Sequence, residues 1–160
     1  MVARKPQAAR EPPPDGHWTD ATDGTKRRSA QPQRDAAAVP AELAGPALRT
    51  FFSIADAWGL TNDEAMTLLG EPSRTTFFEW KRAGEGRLSR DTLERISYVL
   101  GIYKALQILL PDPAAADGWV RKPNAAPMFA GKPALARMLS GNVADLYVVR
   151  RYLDGLRGGG

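Results

Sequence analysis

The chain has 160 residues, no Cys, a single His, 22 Lys plus Arg against 18 Asp plus Glu, and an apolar fraction of 43%. Such a length supports one ordinary domain or two small ones. The composition excludes disulfides, Cys-ligated zinc and a thiol nucleophile, and His17 alone builds neither a His metal site nor a Ser/His relay, so no catalytic residue, metal or cofactor is expected.

Residues 1–45 hold six of the 13 prolines and only four residues from Ile, Leu, Val, Met and Phe, namely Met1, Val2, Val39 and Leu43. So few apolar groups cannot offset the entropy of ordering, which predicts a disordered arm. Within it, Lys26-Arg27-Arg28 reads either as a solvated charge run or as an auxiliary phosphate contact. No apolar run follows the basic start Met1–Arg10, so no secretory signal is expected, and the acidic residues argue against a transit peptide. No window approaches the roughly 18 consecutive apolar residues of a spanning helix, and no membrane association is expected.

A first helical module is predicted over 46–111. From Pro46, the residues Leu48, Phe51, Phe52, Ala55 and Trp58 recur at three and four positions until Gly59 stops the run. Thr61-Asn62-Asp63-Glu64 has the form of a capping box, with Ala65, Leu68 and Leu69 behind it and Gly70 at the end. Ser73 then caps a helix from Arg74 to about Arg82 that carries Phe77, Phe78 and Trp80. Apolar residues at that spacing are core first, so at least one of the three is expected beneath the surface. After Gly84-Glu85-Gly86, Ser89 caps a longer helix with Leu93, Ile96, Leu100, Tyr103, Leu106 and Leu110 on one face, ended by Pro111.

Two short helices joined by a tight Gly-containing turn suggest a helix-turn-helix. That element reads DNA with the N-terminal side chains of its second helix, here Ser73, Arg74, Thr75 and Thr76, while nearby cations such as Lys81 and Arg87 hold phosphates. Between Arg74 and Arg95 six basic residues face four acidic ones, so the local charge is only +2 and a bundle that merely packs stays open as the other reading.

A second module is predicted over 112–157, with 158–160 as a flexible end. Asp112-Pro113-Ala114 opens a short helix or turn leading to Trp119 and Val120, and Lys122 to Pro127 runs extended. Pro133 leads into a helix with Leu135, Met138 and Leu139 that Gly141 ends, and Asn142 can cap a last helix with Val143, Leu146, Val149 or Arg150, Leu153 and Leu156 at helical spacing. From Arg121 onward seven basic residues face two acidic ones, the largest charge imbalance in the chain. It reads as a phosphate surface, a docking face for an acidic partner, or a solvated helix face in which Arg150 and Asp154 pair with each other.

Taken in order, Trp58-Gly59-Leu60-Thr61, Leu69-Gly70, Trp80-Lys81 and the run from Leu88-Ser89-Arg90-Asp91 to Gly101-Ile102-Tyr103 resemble the Xre-like helix-turn-helix of MbcA/ParS/Xre antitoxins. Trp119, Lys122-Pro123-Asn124, Phe129, Gly131, Ala134-Leu135, Met138-Leu139, Gly141 and Val149-Arg150-Arg151-Tyr152-Leu153 resemble their toxin-binding domain. The likeness spans about residues 46–157. It implies an all-α chain: an Xre-like bundle, then a small, mostly helical toxin-binding domain. It further implies a bacterial cytoplasmic antitoxin without catalysis, which occludes the NAD pocket of a RES-domain toxin encoded by the adjacent gene. Operator DNA and a homodimer within the toxin-antitoxin complex complete the implied partners.

By position, the resemblance places toxin contacts on the last helix, at Asp145, Arg150, Arg151, Asp154 and Arg157, with Trp119 and Asn124 supporting the surface. Beside it stands a reading as a stand-alone helix-turn-helix regulator whose second module dimerises or senses a ligand. An enzyme has little support, since no carboxylate pair is spaced for acid/base work and Gly158-Gly159-Gly160 follows a helix rather than opening one.

Overall fold

The computed structural model describes residues 39–158, all within one compact unit, Ala38–Gly160. The predicted arm up to residue 38, including His17 and Lys26-Arg27-Arg28, lies outside the described residues, as do Gly159 and Gly160. Among the described residues the fold is all-α: α1 Ala41–Ala57, α2 Asn62–Leu68, α3 Arg74–Ala83, α4 Arg90–Leu109, α5 Pro113–Gly118, a 3-10 turn Trp119–Arg121, α6 Ala134–Met138 and α7 Val143–Gly158. An isolated antiparallel bridge pairs Pro123 with Pro133.

Local chemistry sets most of the boundaries. At α2 the capping box is complete, with Glu64 N–H donating to the Thr61 hydroxyl and Thr61 N–H donating to the Glu64 carboxylate. Ser73, Ser89 and Asp112 each accept a backbone N–H at the start of α3, α4 and α5. Gly84 ends α3 in the left-handed region at φ 67°, where a Cβ is strained.

Two ends differ from the sequence reading. Helix α1 begins at Ala41, so residues 39–45, assigned to the arm, are folded. Val39 is buried and its N–H donates to the Leu88 carbonyl at 2.9 Å, while Ala44 N–H closes the first turn onto Pro40. The anchor is a bond to a residue far along the chain, which an apolar count over 1–45 does not register. Pro46 therefore lies inside the helix, at the cost of one ladder hydrogen bond. At the other end Gly158, expected in the flexible tail, is the last residue of α7.

Helix α4 is the axis of the fold. It packs on α1 and along the whole of α7, and it is buried on two sides through Ile96, Val99, Ile102, Ala105 and Leu106. A single apolar stripe was the expectation for this helix. It is wider because a helix flanked on both sides must be apolar on both. From α7 come Leu146, Val149 and Leu153, each 1% exposed or less, and from α1 come Leu48, Phe51 and Ile54. All belong to one continuous apolar cluster.

The two long helices run parallel. Arg95 on α4 donates to the Gly141 carbonyl just before α7, and Tyr98 meets Tyr147 edge-on at 5.8 Å. Further along, Gly101 lies under Arg150, and Ile108 and Leu109 share a groove with Leu156 and Arg157.

Candidate DNA-reading and partner-docking faces

Helices α2 and α3 are joined by a turn that needs left-handed backbone at Gly70 (φ 90°) and Glu71 (φ 61°). Glu71 takes this conformation although it carries a Cβ, because its N–H bonds the Met66 carbonyl and its carboxylate accepts the Thr67 hydroxyl at 2.7 Å. The turn brings the N-terminus of α3 to the surface. Phe77 and Trp80 go into the core while Phe78 stays 39% exposed, so two of the three aromatics pack beneath the helix.

The residues assigned to DNA have unequal freedom there. Ser73 and Thr76 spend their hydroxyls on capping α3, at 2.9 Å from each other. Thr75 is exposed beside them. Arg74 pairs with Asp63 at 3.2 Å and its guanidinium lies over the Phe78 ring at 5.5 Å, both exposed contacts that a phosphate can compete for. Lys81 donates to Asn62 at 2.8 Å, so both cations reach back to the first turn of α2. Arg87 follows α3, is exposed, and lines one concavity with Thr76 and Arg82.

In the C-terminal part, the residues assigned to a partner divide into supports and exposed groups. Trp119 stacks on Tyr152 of α7 at 6.5 Å, and buried Phe129 meets both rings edge-on. Asn124 holds the loop after the 3-10 turn, its side-chain oxygen accepting the Ala126 N–H at 2.9 Å. Asp145 accepts from the Ser140 hydroxyl at 2.6 Å and pairs with Arg137 at 2.9 Å, tying α6 to the first turn of α7. Arg150 crosses Gly101 and gives its Nε to both oxygens of Asp154. Arg151 and Arg157 are exposed, as are Tyr147 and Leu156, and neither arginine has an ion pair among the described residues. A groove of 480 Å³ between Ile108, Leu109, Asp154, Leu156 and Arg157 lies at the end of this face.

Most of the basic excess survives pairing, because only Arg121 takes a carboxylate from outside the segment. Of its seven cations, Arg121, Arg137 and Arg150 are paired with Glu64, Asp145 and Asp154. Lys122, Lys132, Arg151 and Arg157 remain exposed. Arg121 escaped the sequence reading as a site residue because its partners, Trp58, Gly59 and Glu64, lie in the other module.

Two carboxylates are held below their usual range. Burial disfavours the charge of Glu64, but the Thr61 N–H and the Arg121 guanidinium outweigh it. The Ser140 hydroxyl and then Arg137 lower Asp145. A depressed carboxylate stabilises the fold above its unfolded pKa and loses that contribution as pH falls through the folded one. Thermal stability is thus expected to decline below about pH 4. Melting curves between neutral pH and that range should show a smaller decline for Asp145→Asn than for wild type, and equal declines would remove this carboxylate from the acid response.

Among the described residues no helix is long and apolar enough to cross a membrane, and no group of three His, Cys, Asp or Glu side chains could hold a metal. Residues 37–101 match the antitoxin Xre-like helix-turn-helix domain, and residues 105–159 match the antitoxin Xre/MbcA/ParS C-terminal toxin-binding domain. The junction between the two matches falls within α4, beside Gly101. The uncharacterized protein y4oB of Sinorhizobium fredii is 51% identical over 132 residues, covering 82% of this chain and 96% of that relative.

Proposed function

Since the chain belongs to the Xre/MbcA/ParS antitoxins, with a helix-turn-helix and a toxin-binding domain and no enzymatic activity of its own, we propose that it neutralises a RES-domain toxin encoded by the adjacent gene. Neutralisation occurs by docking over the toxin's NAD pocket, in the bacterial cytoplasm. The toxin-binding match carries this reading. Exposed groups of α7 support it, because Tyr147 and Arg151 one turn apart on its outer side, and Leu156 and Arg157 beside the groove at its C-terminal end, combine apolar contact with positive charge. In the same reading Arg150 and Asp154 flank that contact, while Trp119, Asn124 and Asp145 hold the surface in shape. Through Arg74, Thr75 and the neighbouring cations Lys81 and Arg87 the protein also binds its own operator as a homodimer, which regulates the operon.

The test is co-expression with the adjacent gene. The pair should co-purify and growth should be rescued from the toxin, and failure of both overturns the reading. Arg151→Glu places the wrong sign beside Tyr147 on the outer side of α7 without touching the core. It should weaken toxin binding by about tenfold or more while unfolding stability stays within about 0.5 kcal/mol of wild type, as for other surface substitutions. Isothermal titration and thermal melts read the two quantities separately, and unchanged toxin affinity would move the interface off this face.

A further inference from the structure

Helix α3 buries Phe77 and Trp80, and the residues three and four positions apart on its opposite side are Thr75, Phe78, Glu79 and Arg82, all exposed. From Thr75 to Arg82 this stripe rises about 10 Å, or three steps of a base-paired stack. Arg74 and Lys81 flank it toward α2, where they meet Asp63 and Asn62. On the other flank the loop after α3 closes a concavity of 480 Å³ lined by Thr76, Glu79, Arg82 and Arg87. Cations thus border the stripe on both sides.

Two members of the stripe carry chemistry that a grip on phosphates does not need. Glu79 brings a negative charge to the middle of a face that meets a polyanion, and its carboxylate takes no hydrogen bond or ion pair among the described residues. Beside phosphates that charge is repulsive, and it becomes favourable only where it accepts from an exocyclic amino group, as a carboxylate does from cytosine N4 in the major groove. Phe78 is 39% exposed while the two other aromatics of α3 are buried. Arg74 lies over its ring at 5.5 Å and Phe77 meets it edge-on at 5.2 Å, so the ring is held between them and keeps an outward apolar surface that suits a thymine methyl. With the Ser73 and Thr76 hydroxyls committed to the helix cap, these two side chains are the groups of the stripe best suited to tell one base from another.

We propose that Glu79 and Phe78 are the specificity-determining residues of the α3 face, Glu79 selecting a cytosine and Phe78 the C5-methyl of a nearby thymine. The proposal rests on the operator reading above. It gives the acidic residue a signature that no phosphate-holding cation shares. Removing a cation weakens binding to every duplex alike, whereas removing the Glu79 charge weakens binding to the preferred site and strengthens binding to unrelated DNA.

The experiment selects duplexes from a randomised pool with the full chain and with Glu79→Gln, then measures affinity for the enriched duplex and for an unrelated one. Wild type should enrich a cytosine at one position, and replacing that base should cost about fivefold or more. Glu79→Gln should move the preference there to adenine, whose N6 and N7 match the two ends of an amide, while affinity for the unrelated duplex rises. Exchanging thymines for uracils one at a time should weaken wild type about fourfold at one position, the worth of one buried methyl, and leave Phe78→Ala indifferent. Both side chains are exposed, so thermal melts of the variants should stay close to wild type. The same enriched sequence from wild type and Glu79→Gln would make Glu79 a solvated surface charge and overturn the proposal. So would a wild type indifferent to every uracil. A wild-type protein that binds no duplex instead overturns the operator reading on which the proposal rests.

Discussion

A chain ended at Gly141 is expected to lose the folded helix-turn-helix together with its toxin partner. The deleted segment carries Leu146, Val149 and Leu153, all fully buried along α4. Three aliphatic side chains of this kind are worth roughly 4.5–9 kcal/mol of burial, against a total stability of about 5–15 kcal/mol for a domain. Their removal also opens Ile102, Ala105 and Leu106 of α4 to water. The prediction is a truncated protein without a cooperative melt, readily cleaved by protease, and with no affinity for duplex DNA. Circular dichroism against temperature and limited proteolysis decide it. A cooperative transition near that of the full chain would mean that residues 39–141 hold together without α7.

The second effect is a reversal expected from one methyl group. Gly101 lies in the interior of a 20-residue helix, where replacing Gly by Ala ordinarily stabilises by about 0.8–1.0 kcal/mol. Here a Cβ would coincide with the Arg150 guanidinium and come within 2.9 Å of its Cδ. The outer half of the Arg150 side chain must therefore swing off α4 and give up both contacts to Asp154, at 3.0 and 3.1 Å. Gly101→Ala should therefore forfeit its propensity gain and leave stability at or below that of wild type by about 1 kcal/mol or less, because the flexible arginine swings aside at the cost of a partly exposed ion pair. Against an Arg150→Ala background the same change should stabilise, because the obstruction is gone and only helix propensity remains. Denaturant unfolding of the four proteins measures this, and a Gly101→Ala effect of one sign in both backgrounds would exclude Arg150 as the cause.

Features that depend on a few neighbouring residues are readable from the sequence. The Thr61–Glu64 box, the Ser73 and Ser89 caps, the Gly70 turn and the last helix all appear where residue type and spacing place them, since each is closed by bonds across three or four positions. Features closed across long separations are not readable in the same way. Val39 begins the fold through Leu88, and Arg121 and Arg95 bridge the two halves, with nothing in their own sequence neighbourhoods to mark them. Arg150 shows the intermediate case. Its pairing with Asp154 follows from four-residue spacing, whereas its seat on Gly101 requires knowing that α4 and α7 lie side by side. The basic C-terminal excess was visible as a sum, but which cations face outward is decided by partners on other elements.

The parallel course of α4 and α7 has an electrical consequence. In an antiparallel pair the peptide dipoles of two helices oppose each other, whereas here they add, giving the domain a positive pole near Ser89 and Ser140 and a negative pole near Leu109 and Gly158. The charged side chains are distributed to suit: Asp91 and Asp145 occupy the two first turns, and Arg157 occupies the last turn of α7. Arg157 thus sits in the combined field of two helix ends, which favours its cation. An approaching carboxylate is attracted by the arginine and opposed by the carbonyls behind it, so the seam orients a charged partner end to end rather than simply drawing it in.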